Sequence, residues 1–157
     1  MNTDEITRRL RDEIDSRRMQ QVAERRRADI AAVANAIRDA LDLLRGVLTA
    51  AAVTKFEVDV YVTQDDIEKA TDGEAVWIRL GFRNGAGEKL EVTPFTIGRV
   101  DVPRYPVLWG AGENLRWLDG STGATPRDAL ESLLSKLYGT RALAEALAKL
   151  AAGWETA

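Results

Sequence analysis

The chain has 157 residues, with 22 basic and 25 acidic side chains, a formal net charge of -3, and a composition 45% hydrophobic and 30% charged. That balance excludes a disordered tail and a membrane-embedded protein, and it argues against a nucleic-acid binder that works through bulk positive charge. The sequence contains neither Cys nor His, so thiolate nucleophiles, Ser-His-Asp triads and zinc sites built on those residues are excluded within it.

Residues 3–50 contain no Pro, and no Gly before Gly46, a composition that favours helix. Thr3 is placed to cap that helix, and Asp4 and Glu5 suit its dipole. Ile30, Val33, Ile37, Leu41, Leu44 and Leu48 recur every three or four residues and mark a face expected to meet a core. Ile6, Leu10 and Ile14 form another stripe, roughly opposite the first on an unbroken helix at about 100° per residue. One core cannot serve both. Either the helix breaks near Asp15-Ser16, or residues 3–14 face a different partner; the expected organisation is a separate helical arm over 1–15 and a single α+β domain over 16–157.

After Val53 the apolar period becomes two. Phe56, Val58, Val60 and Val62 alternate with Glu57, Asp59, Tyr61 and Thr63, the pattern of a half-buried strand. Val76, Ile78, Leu80 and Phe82 alternate with Trp77, Arg79, Gly81 and Arg83 in a second strand. With the apolar faces aligned in an antiparallel pair, Tyr61 is expected opposite Trp77 and Asp59 opposite Arg79. Between the strands lies an acidic, polar loop with one helical turn at Asp65–Lys69. Asn84-Gly85-Ala86-Gly87 is a turn signal leading to a third strand through Leu90 and Val92. Pro94 points to an edge position or a bend. The change of inward parity between Phe95 and Ile97 on one side and Val100 and Val102 on the other points to a bulge at Gly98.

Tyr105–Trp109 and Leu115–Leu118 read as a hairpin across Gly110-Ala111-Gly112-Glu113, with Trp109 and Trp117 paired in the core. Gly120-Ser121-Thr122-Gly123 reads as loop. Thr125-Pro126-Arg127-Asp128 starts a helix carrying Leu130, Leu133, Leu134 and Leu137, which Gly139 should end. Thr140 then caps a last helix bearing Leu143, Leu147 and Leu150. The expected fold class is α+β: a long N-terminal helix, an antiparallel β-meander of four to six strands, and two C-terminal helices.

The glycines at 85, 110 and 120 match neither the dinucleotide nor the Walker pattern and read as turns. Asp65 and Asp66 sit in the polar loop and read as solvated surface, although a carboxylate or metal chemistry there stays open. Tyr61, Trp77, Asp59 and Arg79 share the polar side of adjacent strands, a mixture typical of interface hot spots. The alternative reading is a second layer covering that side. Arg17, Arg18, Arg25, Arg26 and Arg27 are the one basic concentration and would serve a nucleic-acid contact, but a solvated helix face accounts for them as well. The α-β-β-β-α order is similar to the double-stranded-RNA-binding domain, yet the helix opening Pro126-Arg127-Asp128-Ala129 lacks that family's lysine cluster.

The strand Tyr105-Pro106-Val107, a glycine turn, a short strand and a capped Leu-rich helix pair together resemble small phage and prophage accessory proteins over roughly the last third of the chain. The resemblance implies a viral or mobile-element protein, structural or counter-defence, that acts by binding, and it identifies no active residue. The expected function is thus a non-enzymatic protein-binding protein without cofactor or metal. It would act as an inhibitor that occupies a host defence protein, or as a structural subunit that self-assembles as an oligomer. Its contact residues would be Ile6, Leu10, Ile14, Asp59, Tyr61, Trp77 and Arg79. The alternative is a nucleic-acid-associated protein using the Arg-rich helix. No secretory signal or membrane span is legible, so a cytoplasmic location, in the host cell if phage-encoded, is expected.

Overall fold

The computed structural model describes residues 2–51, 57–100, 108–113 and 121–155, the last six by their backbone alone. Helix α1 runs from Thr3 to Ala50. The break expected at Asp15-Ser16 is absent, because nothing in the segment interrupts the backbone ladder and exposed pairs such as Glu13–Arg17, at 3.0 Å, support it one turn apart. The helix up to Ala32 forms one compact unit, and Val33–Ala157 forms another.

In the second unit, α1 contributes Val33, Ile37, Ala40, Leu41, Leu44 and Leu48 to the core. Strand β1 (Glu57–Tyr61), helix α2 (Gln64–Thr71) and strands β2 (Val76–Arg83), β3 (Lys89–Val100), β4 (Leu108–Gly112) and β5 (Thr122–Gly123) follow, then α3 (Pro126–Leu134) and α4 (Leu137–Glu155). The five strands pair antiparallel in chain order, the meander that the alternating pattern implies. Val60, Ile78, Leu80, Phe82, Phe95 and Ile97 line one face of the sheet and are almost wholly buried. They join the α1 stripe with Leu130 and Leu133 of α3 and Leu143 and Leu147 of α4 in one cluster. Trp109 is buried there as expected, with the Arg99 guanidinium 5.6 Å from its ring centroid. Its expected partner Trp117 lies outside the described residues, as do Phe56, Val102, Tyr105-Pro106-Val107 and Leu115–Leu118.

Several local expectations need correction. The β2–β3 register shifts between Ile78 and Leu80, whose partners are Phe95 and Val92, so that Thr93 and Pro94 together oppose Arg79. The bulge therefore sits at Pro94, which has no N–H to give the ladder, and β3 is an interior strand rather than an edge. Gly98 pairs regularly with Gly110, without a bulge. Gly110-Ala111-Gly112 is strand rather than turn, and Thr122–Gly123 pairs with it.

The edge strand β1 has an open side, and there Arg45 donates to the Val60 carbonyl oxygen at 2.9 Å, occupying an acceptor that a foreign strand would otherwise use. Arg127 of α3 reaches Asp39 of α1 at 3.1 Å. Thr125 caps α3 as its sequence implies, accepting from the Asp128 N–H at 3.1 Å. α3 ends at Leu134, short of Gly139, which lies instead in the first turn of α4. The reason is a close approach: a Cβ at Gly139 would collide with the Leu133 carbonyl oxygen. Gly46, on the exposed side of α1, has open space around it. In urea denaturation, Gly139→Ala should lower the unfolding midpoint, whereas Gly46→Ala should raise stability by about 0.4–1 kcal/mol.

Candidate functional site

The polar side of the sheet carries the first candidate. Tyr61 pairs with Arg79, and Asp59 with Gly81. The expected pairings of Tyr61 with Trp77 and Asp59 with Arg79 are therefore each displaced by two residues. That displacement keeps every side chain on its expected face and still sets apolar residues opposite one another, now Val60 with Leu80 and Val58 with Phe82. Trp77 lies beyond the end of β1, opposite the fully buried Thr96 of β3, and is itself half-buried.

Arg79 organises the cluster. Its Nε lies 3.3 Å from Asp66 Oδ2 and one of its terminal nitrogens 3.6 Å from Glu91 Oε1. The Tyr61 hydroxyl donates to Glu91 Oε2 at 3.2 Å, and its ring lies along Gly81, where a Cβ would be 3.4 Å from Tyr61 Cε1. Beside Gly81 an open concavity of ≈ 620 Å³ is lined by Glu57, Asp59, Tyr61, Arg83, Lys89 and Glu91. The rim of the hollow carries both signs of charge.

Asp66 is not the solvated loop residue expected from its neighbours. It is 7% exposed and completes a capping box at the start of α2. The Thr63 N–H donates to its Oδ2 at 3.0 Å, and its own N–H donates to Thr63 Oγ1 at 3.1 Å. Asp65, one residue earlier, is exposed and pairs with Lys69 at 3.1 Å. The spacing Thr63-x-x-Asp66 carried a legible signal for this cap, but Glu91, two strands on from β1, carried none.

The electrostatics hold these groups in their ordinary charge states. Burial alone would raise the Asp66 carboxyl, but Thr63, through its backbone N–H and side chain, and then Arg79 outweigh it and keep it below the usual value. Partial burial, then the hydrogen bond to Glu91, push the Tyr61 phenol up. Asp66, by its charge and its hydrogen bond, pushes the Arg79 guanidinium further up. None is moved toward neutrality, where a general acid or base works best. Among the described residues no cluster of three or more acidic side chains is placed to hold a metal ion.

The second candidate is the helical unit up to Ala32, in which none of the described residues is buried. Ile6, Leu10, Ile14, Met19 and Val22 are 52%, 60%, 44%, 73% and 69% exposed. The first three form the stripe legible in the sequence. Met19 and Val22 were hidden among Arg and Gln; Met19 falls on the far side of the helix, whereas Val22 lies eight residues beyond Ile14, toward the flank of the same stripe. Arg17 is drawn to Glu13, and Arg27 Nε donates to the Ala23 carbonyl oxygen at 3.4 Å. Arg18 and Arg25 are exposed, and Arg26 is partly so. No described helix is long and apolar enough to cross a membrane.

Comparison of the chain with protein-family models, with curated proteins and with solved structures gives no match.

The lowered Asp66 carboxyl has a consequence for stability. A carboxyl that is more acidic in the folded state stabilises fully above its unfolded value of about 3.9. The contribution then fades as the pH falls through the lower folded value. Asp66→Asn should therefore be less stable than the parent at neutral pH. In urea denaturation at a series of pH values, the gap should narrow below about pH 4 as the parent's own carboxylate is protonated.

Proposed function

We propose that the protein acts by binding another protein chain rather than by catalysis, and that residues 2–32 of α1 carry the contact. The observation that carries this reading is the exposure of Ile6, Leu10, Ile14, Met19 and Val22 on a helical segment without a buried residue among those described. Helices in water draw most of their stability from packing an apolar face. Covering one Ile or Leu contributes about 1.5–3 kcal/mol. A partner that seats this segment thus supplies what the segment lacks, in the manner of helix-mediated recognition. The sheet-face cluster supports a binding role less strongly, because Arg79 is already committed to Asp66 and Glu91. Both forms of the expectation, a phage-encoded inhibitor that occupies a host protein and a self-assembling subunit, use the same helical surface.

The test is photo-cross-linking in cells that produce the chain, with a photoreactive amino acid placed at Leu10, at Met19 and, as a control, at the exposed Asp72. Protein adducts at Leu10 or Met19 and none at Asp72 are expected. No adduct at either helix position overturns the reading. Nucleic-acid binding through the Arg-rich segment makes a separate claim. Arg18→Glu with Arg25→Glu should change stability by no more than about 1 kcal/mol, as exposed charges do. A complex with DNA or RNA that weakens steeply with salt and vanishes in this double variant would establish the alternative instead.

A further inference from the structure

We propose that Asn84 is a modification site at which the chain sheds its own side-chain amide. The Gly85 nitrogen displaces that amide as ammonia, and water leaves aspartate or isoaspartate at position 84. The proposal goes beyond the helical contact and does not rest on it.

Of the asparagines in the sequence, only Asn84 precedes a glycine. The dipeptide forms the tip between β2 and β3. There the Gly87 N–H donates to the Asn84 carbonyl oxygen at 3.1 Å, and Gly87 takes a φ of 81°, a tight turn closed by a left-handed glycine. The Asn84 side chain folds back over this turn, its Oδ1 accepting from the Ala86 N–H at 3.1 Å and the Glu88 N–H at 2.9 Å. Gly85 is exposed, and a Cβ built on it would meet no atom within 4 Å, so nothing shields its nitrogen from above. Among the described residues, nothing accepts from the Gly85 N–H or from Asn84 Nδ2, so both the attacking and the leaving nitrogen are uncommitted.

The reaction needs only water and hydroxide. The Gly85 N–H gives its proton to hydroxide, and the nitrogen bonds to Asn84 Cγ while negative charge gathers on Oδ1. The Ala86 and Glu88 N–H groups that already reach Oδ1 stabilise that charge. The Cγ–Nδ2 bond then breaks, Nδ2 takes a proton from water and leaves as ammonia, and a cyclic imide remains. Water adding at Cγ reopens the imide to aspartate. Water adding at the Asn84 backbone carbonyl breaks the bond from that carbon to the Gly85 nitrogen and leaves isoaspartate, with the chain running through Cβ and Cγ.

Other positions of the same kind are held. Asp72-Gly73 has the same spacing, but the Gly73 N–H donates to the Ala70 carbonyl oxygen at 3.1 Å. Asn35 lies inside α1, where the next nitrogen belongs to the helical ladder, and its Oδ1 accepts from Arg38 at 3.2 Å. Conversion at position 84 also has a local consequence. It adds a negative charge beside Arg83 and Lys89, the exposed pair that closes the β2–β3 ladder at this end.

The test holds the purified, folded protein in alkaline buffer beside a synthetic peptide of residues 80–92. Digestion and mass spectrometry then follow each asparagine, and isoaspartyl methyltransferase labelling locates isoaspartate. Conversion is expected at Asn84 ahead of Asn35, with isoaspartate at position 84 and none at position 72, and with an acidic shift on ion exchange. It should be faster in alkaline than in neutral buffer. Gly85→Ala, which the open space accommodates, should lose most of it. Asn84 intact in the protein after the peptide has fully converted would overturn the proposal, as would undiminished conversion in Gly85→Ala.

Discussion

Ile78, Leu80 and Phe82 of β2 point to one side of the sheet and are buried by three different parts of the chain. Val58 and Val60 of β1 stand beside them on one flank, Val92 and Phe95 of β3 on the other, and the apolar stripes of α1, α3 and α4 complete the same cluster. Strand side chains alternate, so a slip of one residue against either neighbour would turn this face to water. The whole of the second unit depends on that parity being kept.

Pro94 is where keeping it is hardest. The ring cannot donate to the ladder, and a regular strand through it would send Phe95 and Ile97 to the wrong face. Setting Thr93 and Pro94 together against Arg79 adds one residue to β3 and returns both side chains to the core. Arg79 stands opposite this irregularity, and its guanidinium meets Asp66 from α2 and Glu91 from β3. The capping box fixes Asp66 beside Arg79, and the groups of the ion cluster sit in their ordinary charge states. The cluster fastens α2 to the sheet better than it equips the sheet for chemistry.

The helical unit up to Ala32 obeys a different physics. Its ladder is continuous and its ion pairs are local and exposed, yet the described residues provide nothing to cover its apolar side chains. Two stripes on one helix conflict only when both must face the same core. Of the two, only the later stripe is buried among the described residues, so the chain needs no break to accommodate both.

The sequence by itself determined the types of the longer elements, α1 and β1 to β3, because periods of three to four and of two leave little ambiguity when they run this long. It determined the antiparallel meander, the face on which each residue of β1 and β2 lies, the Thr125 cap and the unmatched stripe at Ile6, Leu10 and Ile14. It did not determine which residues stand opposite one another. Tyr61 meets Arg79 instead of Trp77 because a shift of two residues keeps every face unchanged, so alternation carries no information about it. The position of the bulge, the burial of Asp66 beside Arg79, and the place of Gly139 against the Leu133 carbonyl were likewise decided by tertiary packing. Each depends on atoms brought together from distant parts of the chain, whereas local spacing records only which side of its own element a residue occupies.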